Sequence, residues 1–295
     1  MLKLKSLLTE APAGELGGAQ DMVKKVTSKP LVASVSMLKK LAADPDTKDI
    51  LLKGKQDGDI QDEQIKVSQG NVELTKLFPT QAEIGFGNSL DDIVFDKYEV
   101  IDKCFDSPVR LGPPPGSPLL CARIGGKIYV LDGHHRWSAA FMCNRNAKME
   151  CDILEMPSGE TAESALRLMQ VAILAKAGKV ETKNFEGQDL MATGTDNVES
   201  YVTENIVDSA IEKFGTFTQG NLTDGPSIAT EIGKAHGIIK SMKGKFPRNI
   251  MPQADHSGGD GTQDKVNQAL AKGDINWKEP FVGEGRIKLK GLLKK

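Results

Sequence analysis

Residues 127–144, K-I-Y-V-L-D-G-H-H-R-W-S-A-A-F-M-C-N, decide how the rest of the chain is read. Ile128-Tyr129-Val130-Leu131 is a short apolar run of β-formers, bounded by Gly125-Gly126 before it and Asp132-Gly133 after it. That is the pattern of a buried strand. From Arg136 onward Trp137, Ala140 and Phe141, with Ala139 beside them, recur at helical spacing, so a helix follows. Between strand and helix stand an acid, a glycine, two imidazoles and a guanidinium, and two of the chain's four histidines are among them.

A strand, a glycine and the first turn of a helix make a geometry suited to anions. The unbonded N–H groups of the first turn and the positive end of the helix dipole point at whatever sits there. Gly133 lets the backbone turn sharply and approach a ligand. Arg136 can grip phosphate oxygens bidentately, and His135 can donate to them or shuttle a proton. Asp132 can hold Mg²⁺ or accept a proton from a hydroxyl. Local physics alone leaves a blander reading open, an N-cap Asp with a surface Arg and two solvated histidines.

Asp132-Gly133-His134-His135-Arg136 followed by Trp137-Ser138-Ala139-Ala140 resembles the signature loop of the ParB/sulfiredoxin superfamily. In that superfamily a strand delivers such a box to a helix N-terminus that cradles nucleotide phosphates. Upstream, Leu77-Phe78-Pro79-Thr80-Gln81-Ala82-Glu83-Ile84 is similar to the segment that follows the family's first strand. The D-G-H-H-R form most resembles members that act as free-serine kinases or carry the ParB-like nuclease label. The resemblance covers residues 64–157, roughly a third of the chain.

Two departures narrow what it implies. Sulfiredoxins carry a reactive cysteine where this chain has His134, so reductase chemistry is not expected. Partition ParB proteins have an acid and an arginine at positions 134 and 135, so their CTP-dependent clamp is not carried over either. The kinase-like members imply catalytic roles for Asp132, His135 and Glu83. They imply phosphate contacts from Gly133, His134, His135, Arg136 and Ser138, with Mg²⁺ at Asp132 and ATP, ADP or CTP as the nucleotide.

Basic and acidic residues number 38 and 40, a net charge of −2, which gives no global pull toward nucleic acid or a membrane surface. No apolar run is long enough to span a bilayer, and the N-terminus lacks the apolar core of a signal peptide. The cysteines Cys104, Cys121, Cys143 and Cys151 are widely spaced without a C-x-x-C, as expected of reduced, mostly buried thiols in a cytoplasmic protein.

The expected architecture is α/β (α+β), in three parts. Residues 1–62 form an accessory, partly flexible region with a modest helical pattern over Leu31–Leu41. Residues 63–157 form a small mixed-sheet ParB/sulfiredoxin-like nucleotide-binding domain. Residues 158–295 form a mainly helical region. Within the middle part Leu119–Arg123 and Lys127–Leu131 predict a hairpin, residues 148–154 a last strand, and 90–104 a helical turn plus a strand. Gly112-Pro113-Pro114-Pro115-Gly116 predicts a loop. Beyond Pro157 the pattern predicts a helix capped by Ser158 and ending at Gly178, helices over 197–214 and 227–242, and another near 263–271.

The apolar residues of 227–242 also have the spacing of a helix-turn-helix, and Lys240, Lys243, Lys245 and Arg248 form a local basic cluster. Asp255-His256 sits in a polar, glycine-rich loop. Leu2-Lys3-Leu4-Lys5 is echoed by Ile287-Lys288-Leu289-Lys290, as two short amphipathic strands or two unrelated basic tails.

Three functions fit. The first is a nucleotide-dependent phosphotransferase, kinase-like toward a small molecule, or a nucleotide hydrolase. The second is a DNA-associated ParB-like partition protein or nuclease, for which Asp132 is the strong metal-binding candidate. The third is a non-catalytic assembly protein that keeps the fold, homo-oligomers included.

Overall fold

A computed structural model describes residues 64–106, 108–112, 116–178, 184–253 and 261–277, with isolated positions 43, 51, 52 and 54. The Leu31–Leu41 pattern, the echoed termini, the triple proline and Asp255-His256 lie outside the described residues. What is described is mixed α/β, a five-stranded mixed sheet with eight helices.

The sheet is built from β1 (Lys66–Glu73), β2 (Leu77–Pro79), β3 (Leu119–Ile124), β4 (Lys127–Asp132) and β5 (Lys148–Glu155), in the order β1-β5-β3-β4-β2. The predicted hairpin is β3–β4. Gly125 and Gly126 both have positive φ, 55° and 82°, as a tight two-residue turn between twisted strands requires. β3 runs parallel to β5, pairing Leu119 with Cys151 and Cys121 with Ile153. β2 runs parallel to β4, pairing Leu77 with Ile128 and Pro79 with Val130. Pro79 is tolerated because β2 is an edge strand.

The helices are α1 (Phe86–Val94), α2 (Val100–Phe105), α3 (His134–Cys143), α4 (Ala162–Ala177), α5 (Thr195–Asn205), α6 (Asp208–Phe217), α7 (Gly225–Met242) and α8 (Thr262–Lys272). Three expectations are corrected. Residues 90–104 hold no strand; they span the end of α1, a 3₁₀ turn at Lys97–Glu99 and α2 as far as Cys104. Leu90, Ile93 and Val94, then Val100, Ile101 and Cys104, recur three and four apart and are all buried, a helical period. The helix expected over 197–214 is broken at Ile206-Val207, because Val207 is extended and its N–H donates to Val94 O at 3.0 Å. Residues 227–242 lie within one unbroken helix, α7, with no turn inside it. Asp224 caps it by accepting from Ser227 N–H at 2.8 Å, with Pro226 in the first turn.

α4 starts at Ala162, so Ser158 is not its cap, but Gly178 does end it, with φ 70° and its N–H on Leu174 O at 2.8 Å.

Two compact units interleave along the chain: 68–162 with 183–251, and 1–67 with 163–182 and 252–295. The first holds the functional residues. Its core is one apolar cluster in which Trp137 and Phe141 of α3, with ring centroids 5.8 Å apart, join Leu90 and Ile93 of α1 and Phe214, Ile228, Ile232 and Ile239 from the later helices. Residues 184–251, read from sequence as part of a C-terminal region, thus share a core with the sheet. In the other unit α4 is buried at every residue from Leu168 to Ala175, and Ile65 N–H donates to Leu270 O at 3.0 Å.

Candidate functional site

The polar box lies where β4 gives way to α3. Gly133 is the N-cap with φ 98°, and Trp137 N–H closes the first helical turn on Gly133 O at 2.9 Å. Among the described residues no side chain caps this end, so its first-turn N–H groups are open to a ligand or solvent. A Cβ on Gly133 would stand 2.4 Å from Leu119 Cδ2 and 2.8 Å from Arg136 Nη2. Glycine is therefore required twice, by φ and by space.

The two histidines are turned toward residues 80–85. His134 is buried, and its Nε2 accepts from Thr80 N–H at 3.2 Å and Gln81 N–H at 3.1 Å. Thr80 Oγ1 gives its proton to Val130 O at 2.6 Å. Burial pulls the His134 pKa down to about 3; the nearby Asp132 charge acts in the opposite sense without reversing it. His135 Nε2 accepts from Gly85 N–H at 3.1 Å, and burial lowers its pKa to about 4. Neutral His135 then carries its proton on Nδ1, which lies 3.4 Å from Asn88 Nδ2; exchanging the amide's oxygen and nitrogen would give that proton Oδ1 as its acceptor. Both imidazoles are neutral acceptors at pH 7, and both fasten a loop.

Arg136 curls back over Gly133. Its Nη1 donates to Ser117 O at 2.6 Å, Ser117 Oγ at 2.7 Å and Pro118 O at 3.3 Å, which ties α3 to the entry of β3. Ser138 points into the protein: its hydroxyl lies 2.8 Å from Ser89 Oγ and 3.0 Å from His135 O, in the contact between α1 and α3. Glu83 Oε2 accepts Arg248 N–H at 2.9 Å, and Arg248 Nη1 donates to Gln81 Oε1 at 3.1 Å.

Arg248 is the group that sequence reasoning did not place here. It stood only as one member of a basic cluster far along the chain. The backbone delivers it: Lys245 and Phe246 N–H donate to Thr80 O at 2.9 and 3.0 Å, and Ala82 N–H donates to Phe246 O at 2.8 Å. Thr80 and Gln81, quoted in the upstream segment without a role, prove to be the partners of His134. Burial lowers the pKa of both Arg136 and Arg248, opposed in each by the Asp132 charge. The Asp132 charge is felt by His134, His135, Arg136 and Arg248, so it is the carboxylate of this cluster.

Among the described residues no three of His, Cys, Asp and Glu are grouped to hold a metal ion. Magnesium at Asp132 would be held by one carboxylate together with ligand phosphates, a usual mode for this ion. Also among the described residues, no helix is long and apolar enough to cross a membrane. Comparison with protein-family models, with curated proteins and with solved structures found no match.

Proposed function

We propose that this chain binds nucleotide phosphates at the N-terminus of α3 and is a nucleotide-dependent phosphotransferase, kinase-like toward a small molecule, or a nucleotide hydrolase. One observation carries the reading. Two partly buried arginines, Arg136 and Arg248, feel the Asp132 charge beside a helix N-terminus that no described side chain caps, and burial lowers the pKa of both. A ligand anion there would lower the cost of burying them, and the first-turn N–H groups would receive its oxygens. The likeness of the D-G-H-H-R box to kinase-like members of the ParB/sulfiredoxin superfamily supports the same choice.

The roles divide accordingly. Gly133 opens the approach, and the N–H groups of His134, His135 and Arg136 hold phosphate oxygens. Asp132 would hold Mg²⁺ arriving with the nucleotide, which would offset phosphate charge there, or would take the proton of the attacking hydroxyl or water. Arg136 and Arg248 offset charge on the transferring group. His134, His135 and Glu83 keep residues 80–85 and 248 in place, so in this reading they position the cradle.

The experiment is calorimetry and thermal shift with ATP, ADP, CTP and AMP, each with Mg²⁺, on wild type, Asp132→Asn and Arg136→Lys. A ligand that binds only the folded protein raises the melting temperature, by about 2.7 kcal/mol of stability at 100 times its Kd. One nucleotide should do so in wild type, less in Arg136→Lys, and with lost Mg²⁺ dependence in Asp132→Asn. No shift with any nucleotide overturns the reading, and salt-dependent binding of duplex DNA without one would favour the DNA-associated alternative.

A further inference from the structure

A concavity lies in the same unit, at the C-terminal end of α7. It is a cavity of about 410 Å³ lined by Ala82, Asp189, Met191, Lys240, Lys243 and Gly244, among others. That volume is within the range of small-molecule sites, about 300–1,000 Å³. Its walls are tied by backbone bonds. Gly244 presses on Gln81 so closely that a Cβ would stand 1.8 Å from Gln81 O. Asp189 Oδ1 accepts Ile84 N–H at 3.0 Å and Met191 N–H at 2.9 Å, and Lys240 Nζ donates to Thr193 O at 2.7 Å.

Lys243 is the anomaly. It follows the last residue of α7 with φ 37° and ψ 97°, a backbone conformation that disfavours any side chain. Glycine is the usual residue just past a helix end, and it would adopt this conformation with less strain. Lys243 is exposed, and among the described residues its ammonium pairs with no carboxylate. Strain at such a residue, on the rim of a cavity, points to use of the ammonium.

We propose that this cavity binds a small hydroxylated organic anion, a phosphate or a carboxylate. Lys240 and Lys243 hold the anionic group, and Asp189 accepts from a hydroxyl through Oδ2. Two ammoniums against one carboxylate leave the lining positive, which outweighs the partial negative charge of the helix C-terminus.

The test is calorimetry at constant ionic strength with glycerol 3-phosphate, glycerate and inorganic phosphate, on wild type, Lys243→Gly, Lys243→Arg and Lys240→Met. Saturable binding of glycerol 3-phosphate or glycerate is expected, with the stronger arm identifying the anionic group, and weaker binding of inorganic phosphate. Lys243→Gly should melt higher than wild type without ligand yet bind about tenfold more weakly, as loss of one charge-assisted contact implies. Lys243→Arg should retain binding, and Lys240→Met should lose it. Three results would overturn the site: no saturable heat from either organic anion in wild type, unchanged affinity in Lys243→Gly, or displacement of the anion by ATP, which would place it at α3. Because only that last result involves the nucleotide, failure here and failure of the α3 reading are told apart.

Discussion

Two helix ends meet residues 80–85, and they are built in opposite ways. At the N-terminus of α3 the polar residues are consecutive in sequence, yet His134, His135, Arg136 and Ser138 all spend side-chain atoms on the protein itself. Beyond the C-terminus of α7 no motif announces itself, yet Lys243 faces outward and Arg248 reaches the other helix end. A dense motif can thus report the backbone it must hold as much as the ligand it touches. The charges that complete a site can arrive from a distant segment through backbone pairing, here 245–246 on Thr80.

The glycines give the sharpest test of that contrast. Gly244→Ala should be the most damaging substitution at either end, costing more than about 4 kcal/mol, because its Cβ would strike the Gln81 carbonyl rather than a flexible side chain. Relief would require breaking the bonds from Lys245 and Phe246 to Thr80. Gly133→Ala meets the ends of Leu119 and Arg136, which can move, but also carries positive φ; about 2–4 kcal/mol is expected. Urea unfolding of both variants ranks them. The reverse order would mean that the 244–248 segment is not fastened to residues 80–82 as described.

The two imidazoles come next. His134→Ala leaves two buried backbone donors without an acceptor and should cost about 2–4 kcal/mol. His135→Ala strands one donor at a less buried place, and about 1 kcal/mol is expected. The pH dependence has a definite sign. Both pKa values are lowered on folding, to about 3 and about 4, so the unfolded chain binds more protons below the ordinary histidine range. The stability is present in full above about pH 6.5 and falls as pH drops toward those values, with a limiting slope of about 1.4 kcal/mol per pH unit for each imidazole. Urea midpoints between pH 7 and pH 4.5 should therefore fall more steeply in wild type than in His134→Ala. Parallel slopes would show that His134 is not the neutral acceptor described.

The strand, the hairpin and the helix around Asp132 were legible because the apolar period and the glycines are local properties. So was the end of α4 at Gly178. The strand expected in 90–104 was misread because its β-branched and aromatic residues suggested a sheet, whereas the three- and four-residue spacing of the buried ones built α1 and α2. The break at Val207 answers to Val94, a partner that local sequence does not name. Which way a side chain in the box points is set by what covers it. That cover is residues 80–85 and 117–118, known only once the chain has folded.

Ser138 gives the smallest expected effect and the finest discrimination between motif as cradle and motif as frame. As a phosphate contact, its loss would weaken nucleotide binding. As placed, its hydroxyl lies between Ser89 and His135 O, and Ser89 Oγ in turn donates to Gly85 O at 3.0 Å. Ser138→Ala should then cost about 1 kcal/mol of stability and leave the nucleotide-induced thermal shift unchanged. Ser89→Ala should behave alike, and the double variant should lose less than the sum, because removing both partners leaves neither hydroxyl stranded. A coupling energy of about 0.5–1.5 kcal/mol from the four unfolding curves would assign Ser138 to the frame. Additive losses together with a diminished nucleotide shift would return it to the cradle, and would show that α3 turns this face to its ligand.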